Sequence, residues 1–266
     1  MAMFVRLVDD YGQSINTFQK GFFRNAIAFA VALPVFLRHI KNRPQKTIIP
    51  KRSWRVLWLR SILGTIGIFA NFYALSHISI AEGQTLNKTA PFFTVVFAWL
   101  FLGERFTKRQ FYILLIAFTG VIFIAKPGFA GQASFPLCMG LLGGIAAGAA
   151  YTCVRKLGLN GVSGPTIVLF FSAFSCLTAI PFTILNFTPM TLPQAAIMLG
   201  AGITAAIGQF GITAAYKFAA PRQIAVFDYT NIVFTAILGF ALFGQIPDAL
   251  SFAGMALIIL AAISRR

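Results

Sequence analysis

The chain has 266 residues, of which 58% are hydrophobic and only 11% charged, with a mean hydropathy of +0.80. Soluble domains carry about a quarter charged residues, so this composition excludes an ordinary water-soluble globular protein. The formal net charge of +16 raises the question of nucleic acid, but Lys and Arg fall almost entirely in alternate loops instead of along one surface interleaved with aromatics, which argues against that partner.

In chain order, residues 2 to 8 are apolar but too short to cross a bilayer, and Asp9, Asp10 and Gly12 then supply a turn. They read as the outer end of a first helix whose beginning is missing. Apolar runs of the ~20 residues needed to span a membrane follow at 17–37, 56–76, 79–101, 108–125, 136–154, 164–185, 195–216, 223–243 and 249–263. These are nine full spans, and counting the stub gives a plan of ten helices. Pro91, in the middle of the span at 79–101, removes a backbone hydrogen bond and predicts a kink there. Gly140, Gly144 and Gly148 in the span at 136–154 make a flat stripe that lets another backbone approach. Ala196, Gly200, Thr204 and Gly208 repeat the device in the span at 195–216.

The basic residues cluster at Arg38 to Arg55, at Arg105, Lys108 and Arg109, at Arg155 and Lys156, at Lys217 and Arg222, and at Arg265 and Arg266; the intervening loops hold only Lys126. That is the positive-inside pattern, and it predicts a cytoplasmic C-terminus.

A second periodicity is longer. Adding 141 without a gap pairs Ile62 with Ile203, Gly67 with Gly208, Phe69 with Phe210, Ala74 with Ala215, Thr89 with Thr230, Phe93 with Phe234 and Gly103 with Gly244. The chain reads as a duplication. Five helices per copy is an odd number, so the second copy enters the membrane from the opposite side, giving an inverted-topology repeat. The predicted fold is therefore an all-α polytopic membrane protein: residues 1–126 form the first repeat with a truncated first helix, 127–135 a linker, and 136–266 the second, inverted repeat.

The stretch from Tyr73 to Ile124 carries Tyr73-Ala74-Leu75 at the end of the third helix of the plan, Pro91 in the fourth, and Leu102-Gly103-Glu104-Arg105 before the fifth. On these residues the chain resembles EamA-type members of the drug/metabolite transporter superfamily, and residues 227 to 260 look like the matching ninth and tenth helices. Gln245 departs from the pattern, standing where the family usually has Glu after Phe-Gly. The resemblance implies a polyspecific carrier of small organic solutes, usually an exporter.

Ionisable groups inside spans are costly and mark candidate sites. Here they are Lys20, Arg24, Arg60, Glu82, Lys88 and Asp228. The 141-residue offset pairs Asn87 with Asp228 and Lys88 with Tyr229, so both copies present polar groups at pseudo-equivalent points. Asn87, Lys88, Asp228 and Tyr229 are the expected lining of a substrate path, completed by Tyr73, Asn71 and Gln209. The other reading of Lys88 and Asp228 is a structural pair that neutralises itself. Arg24 with Glu82 reads as an intramembrane ion pair, and Arg60 as an anchor snorkelling to the inner interface. Cys138, Cys153 and Cys176 are scattered within spans and His39 and His77 are isolated, so no metal site is expected. No phosphate loop, nucleophile triad or carboxylate dyad is present, and neither a cofactor nor enzymatic activity is expected.

The sequence thus predicts a secondary transporter in a bacterial cytoplasmic (inner) membrane that moves an amino acid, metabolite or drug-like compound, by export, through alternating access. Its partners are the small-molecule substrate, membrane lipids and protons as a coupling ion through Asp228, with a homodimer left open. The alternatives are an uptake carrier or exchanger and, in another class, a non-transporting membrane protein or membrane-embedded enzyme.

Overall fold

A computed structural model describes residues 4, 7–42, 49–78, 80–105, 107–125, 134–243 and 248–264. Among them a 3-10 turn, Val8–Tyr11, precedes ten α-helices: α1 (Thr17–Asn42), α2 (Lys51–His77), α3 (Ile80–Asn87), α4 (Ala90–Leu102), α5 (Lys108–Ala125), α6 (Ser134–Leu159), α7 (Gly164–Leu185), α8 (Leu192–Phe218), α9 (Pro221–Phe243) and α10 (Ala249–Ile263). The described residues form no strand, and α3 with α4 makes one interrupted crossing. Six described helical segments are long and apolar enough to cross a membrane: Thr17–Asn42, Lys51–His77, Thr85–Leu102, Phe135–Leu159, Gly164–Leu185 and Leu192–Phe218. Several helices run past the apolar spans because a helix continues through the interface, where polar residues are tolerated.

The burial pattern is that of a protein in lipid. Trp54, Trp58, Ile66, Leu177, Ile184, Leu199 and Ile207 face outward, while Gln19, Asn25, Arg60, Ser61, Ser172, Gln194 and Thr213 are buried. Without water outside, interior polar groups are held by neighbouring helices. Thr65 Oγ1 and Ser175 Oγ, for example, join α2 to α7 at 2.6 Å.

Local signals fix the helix ends. Ser163 caps α7 by accepting from the Thr166 N–H, and Asp248 caps α10 by accepting from Ser251 N–H at 3.0 Å. Thr191 and Gln194 form a reciprocal capping box at the start of α8. Gly103 ends α4 in the left-handed region, φ 68°, a conformation that costs a residue with a Cβ about 1–2 kcal/mol.

Helix α2 packs on α6, α1 on α7 and α8, α4 on α6, and α5 on α10. The glycine stripe of α6 explains where the interrupted crossing lies. A Cβ at Gly144 would run into Thr89 Oγ1 and come within 2.7 Å of Leu86 O, and one at Gly148 would meet Ala90 O at 2.8 Å. The α3–α4 break therefore rests directly on the small-residue face of α6. The break falls at Lys88 and Thr89, not as a kink at Pro91. Pro91 sits in the first turn of α4, where its missing N–H is tolerated. Thr89 compensates at the break by donating its hydroxyl to Leu86 O at 2.6 Å.

The second small-residue stripe behaves differently. A Cβ at Gly208 would meet no heavy atom within 4 Å, and α8 instead approaches α1 through Gly202, where a Cβ would lie 2.5 Å from Ile27. The expected packing face is thus rotated onto Ala201, Gly202, Ala205 and Ala206, which are buried or closely packed. Of the residues that read as a first-helix stub, Phe4 and Leu7 are helical and Val8 opens the turn Val8–Tyr11. It docks on α8 through Gln194 Nε2, which donates to Val8 O at 2.9 Å.

The basic loops converge. Asn160 donates to Ser53 Oγ at 3.0 Å, Arg155 pairs with Glu104 at 2.7 Å, Arg222 donates to the Arg105 carbonyl, and Arg109 donates to Ser264 O at 2.7 Å. All lie at one end of the bundle, here called the basic end. At the opposite end Gln19 bonds both ways to Thr188, at 2.7 and 2.9 Å.

Candidate functional site

The helix break and the first part of α9 meet. Lys88, freed from a continuous helix by the turn at 88–89, reaches across and donates from Nζ to the backbone carbonyl of Asp228 at 3.1 Å. Lys88 and Asp228 are therefore in contact, but Lys88 does not close an ion pair on the Asp228 carboxylate. That carboxylate instead accepts from Tyr216 Oη of α8 at 2.6 Å.

Tyr216 extends the cluster. It is fully buried and stacks on Tyr151 of α6 with centroids 5.0 Å apart and planes 10° from parallel. Tyr151 in turn lies within electrostatic reach of Asp228, Arg60 and Arg24. A polar and aromatic seam thus runs from Lys88 and Asp228 to the tyrosine pair on α8 and α6, with Arg60 of α2 and Arg24 of α1 farther off. Apolar packing flanks it on both sides. Tyr229 belongs to a cluster with Val95, Leu114, Val226 and Ile258, while Tyr216 belongs to one with Leu57, Leu157 and Ile167.

Arg60 is not the anchor at the interface that its position in the sequence suggests. It is 1% exposed, and its guanidinium carbon sits 4.0 Å from the centre of the Phe171 ring. Gly64 makes this possible, since a Cβ there would occupy the place of Arg60 Nη1 and come within 2.7 Å of Phe171. A short α2–α7 separation, set by Thr65 and Ser175 one turn further on, turns the side chain inward. Arg24 Nη1 donates to Asn25 Oδ1 at 3.0 Å. The side chain of Glu82 lies outside the described residues, and with it the expected Arg24–Glu82 pair; Gln245 and Lys126 lie outside them too.

The other expected lining residues are dispersed. Tyr229 is buried with an unpartnered hydroxyl, and Gln209 donates to Thr213 Oγ1 at 3.2 Å. Asn71 is buried with its Oδ1 unpartnered against Gly143 of α6. Tyr73 stacks on His77 at 4.1 Å, on the order of 20 Å beyond Arg60 along α2 at 1.5 Å per residue. It therefore sits at the far end of the helix from the tyrosine pair.

At the basic end, Leu102-Gly103-Glu104-Arg105 acquires a mechanical role. The left-handed Gly103 turns the chain so that Glu104 N bonds back to Ala98 O at 3.2 Å and the Glu104 side chain meets Arg155 Nε at 2.7 Å. Arg155 also donates to Lys217 O at 3.3 Å. One arginine thereby ties the α4–α5 turn, the end of α6 and the end of α8. Sequence reading identified Glu104 but not its partner, and it passed over Tyr151 and Tyr216 altogether. Both are aromatic residues with a polar tip near the ends of apolar spans, which is the signal that could have found them.

Membrane-crossing helices around a polar seam, with an interrupted crossing at its centre, define a membrane transporter of small solutes. The sequence profile of the EamA-like transporter family matches residues 2–126. The chain is 30% identical over 259 residues to the pseudopaline exporter CntI of Pseudomonas aeruginosa, covering 97% of this chain and 89% of the exporter. It is 29% identical to a riboflavin transporter of Rhizobium johnstonii, covering 91% of this chain and 78% of that protein. A solved crystal structure superposes with a TM-score of 0.81 over 99% of this chain and 93% of the other, at 19% identity, and shows the fold. The chain belongs to the EamA-like transporter family: it is an integral membrane transporter of a small solute, not an enzyme.

Proposed function

We propose that the protein exports a small organic solute across a bacterial inner membrane by alternating access, with Asp228 carrying the coupling proton. The observation that carries this reading is the contact between Lys88, at the α3–α4 break, and Asp228, whose carboxylate is held by Tyr216. A polar group at a broken helix, touching an ionisable residue of the other half, is a device by which substrate and proton compete for one site. Residues 1–126 and 136–266 act as the two inverted repeats and rock about this seam, with 127–135 as their linker. The C-terminus and the basic end face the cytoplasm, as the positive-inside distribution requires. Export is favoured by the likeness to a relative named as an exporter.

The reading is tested in inside-out vesicles from cells expressing the chain, offered labelled amino acids, riboflavin or pseudopaline. Accumulation of at least one of these that collapses when the pH gradient is dissipated, and that is lost in Asp228→Asn, supports it. Accumulation indifferent to the gradient and normal in Asp228→Asn refutes the coupling.

A further inference from the structure

Arg60 is a full positive charge placed where the described part of the protein gives it no negative one. The groups acting on it electrostatically are Tyr151, Cys153 and Arg24, none of them a carboxylate. Its Nε has no hydrogen-bond partner, and neither do the hydroxyls of Ser61 and Ser172. The register of the two helices puts these three residues on one stretch of the α2–α7 pair. Thr65 on α2 is bonded to Ser175 on α7, the two helices run in the same direction, and Ser61 and Ser172 stand about one turn below that bond on the facing sides. The guanidinium lies over Phe171, the residue before Ser172. Stacking on a ring returns only a small part of what stripping water from a guanidinium costs. Three unused donors, one of them charged, therefore stand within about one turn of one another along the α2–α7 pair. A carboxylate, with two oxygens and four acceptor positions, matches that set, and arginine is the cation whose planar fork suits it best.

We propose that Arg60, with Ser61 and Ser172, is the docking point for the carboxylate of the transported solute. This rests on the substrate seam proposed above and deepens it: the solute is a carboxylate-bearing small molecule, either a simple organic acid or an amino-acid-type zwitterion. In the second case the ammonium end is directed along the Tyr151–Tyr216 pair toward Asp228.

The test uses the full chain in lipid nanodiscs for binding and in proteoliposomes for counterflow, with three probes that share one aromatic body. They are L-phenylalanine, 3-phenylpropionate, which lacks the amine, and 2-phenylethylamine, which lacks the carboxylate. The expected result is that at least one of the two carboxylates binds and is carried while the amine is not. Preference for phenylalanine identifies the zwitterion, and equal handling identifies the organic acid. Arg60→Gln weakens carboxylate binding by about 30-fold or more, as loss of one partner of a buried charge pair requires. Arg60→Lys, which keeps the charge but loses the fork, falls between. Should Arg60→Gln not fold, Gly64→Ala, which displaces the guanidinium without removing it, and the ranking of the three probes on the unaltered chain decide the matter. The proposal is overturned if the amine binds as well as the carboxylates, if neither carboxylate binds, or if folded Arg60→Gln binds them normally. If the amine is carried and depends on Asp228 but not on Arg60, the seam stands and only the carboxylate assignment fails. If neither substitution changes the handling of any probe that is carried, the seam itself fails.

Discussion

Replacing Glu104 by Gln should loosen the basic end of the bundle. The Glu104–Arg155 contact is short, 2.7 Å, and both side chains are about six-sevenths covered, at 16% and 15% exposure. Exposed ion pairs contribute up to about 1 kcal/mol and breaking a buried one costs about 3–5 kcal/mol. A pair covered to this extent, using one carboxylate oxygen, falls near 1–2 kcal/mol on that scale. Because Arg155 also holds Lys217 O, the contact ties α4, α6 and α8 in the arrangement seen here, and the proposed alternating access requires it to break when that end opens. Removing it shifts the population toward the open arrangement by the corresponding factor, about 5–30-fold. Cys153, buried on α6 and two residues before Arg155, reports the change. In a Cys138→Ser, Cys176→Ser background its maleimide labelling from the basic side should accelerate by that factor in Glu104→Gln and in Arg155→Gln. The double variant should be no faster than either single one, and the charge swap Glu104→Arg with Arg155→Glu should restore slow labelling. Unchanged labelling in the single variants, or additive acceleration in the double, would refute the idea that this pair locks the basic end.

Further outcomes follow from the same contacts. Tyr216→Phe removes the Tyr216 hydroxyl that donates to the Asp228 carboxylate, a bond to a charged group worth about 1.5–3 kcal/mol, and should cut transport at least ~10-fold, measured against expression and elution profile. Lys88→Met loses the bond to Asp228 O; transport should fall, with a modest loss in melting temperature. Gly148→Val places side-chain atoms on the Ala90 carbonyl and Thr94 N–H of the interrupted crossing, an overpacking that costs about 1–3 kcal/mol, whereas Gly208→Val, which meets nothing within 4 Å, should leave the melting temperature of the purified protein unchanged.

The spans and the convergence of the basic loops were legible because hydropathy and loop charge report depth, and depth is what a membrane imposes most strongly. The α3–α4 break was visible only as a proline, since the exact position of the turn depends on Gly144 of another helix making room for Thr89. Direction around a helix axis was much harder to read. Arg60, placed near the interface by depth alone, is turned inward by the space over Gly64 and the ring of Phe171. The Ala196–Gly208 stripe is made of small residues like the α6 stripe yet lies beside the face that packs. For the site, the 141-residue offset drew attention to Lys88 and Asp228, which are in contact. It could not show that Asp228 would bond to Tyr216, because that bond joins the neighbouring helices α8 and α9 across a turn at Ala219 and Ala220.

The central claim is that proton and solute meet at Asp228, and it is tested most directly by separating exchange from accumulation. In proteoliposomes, the unaltered chain should both exchange a labelled solute across the membrane and concentrate it against its gradient when a pH difference is imposed, whereas Asp228→Asn should still exchange but no longer concentrate. Concentration by Asp228→Asn at the rate of the unaltered chain would contradict the account.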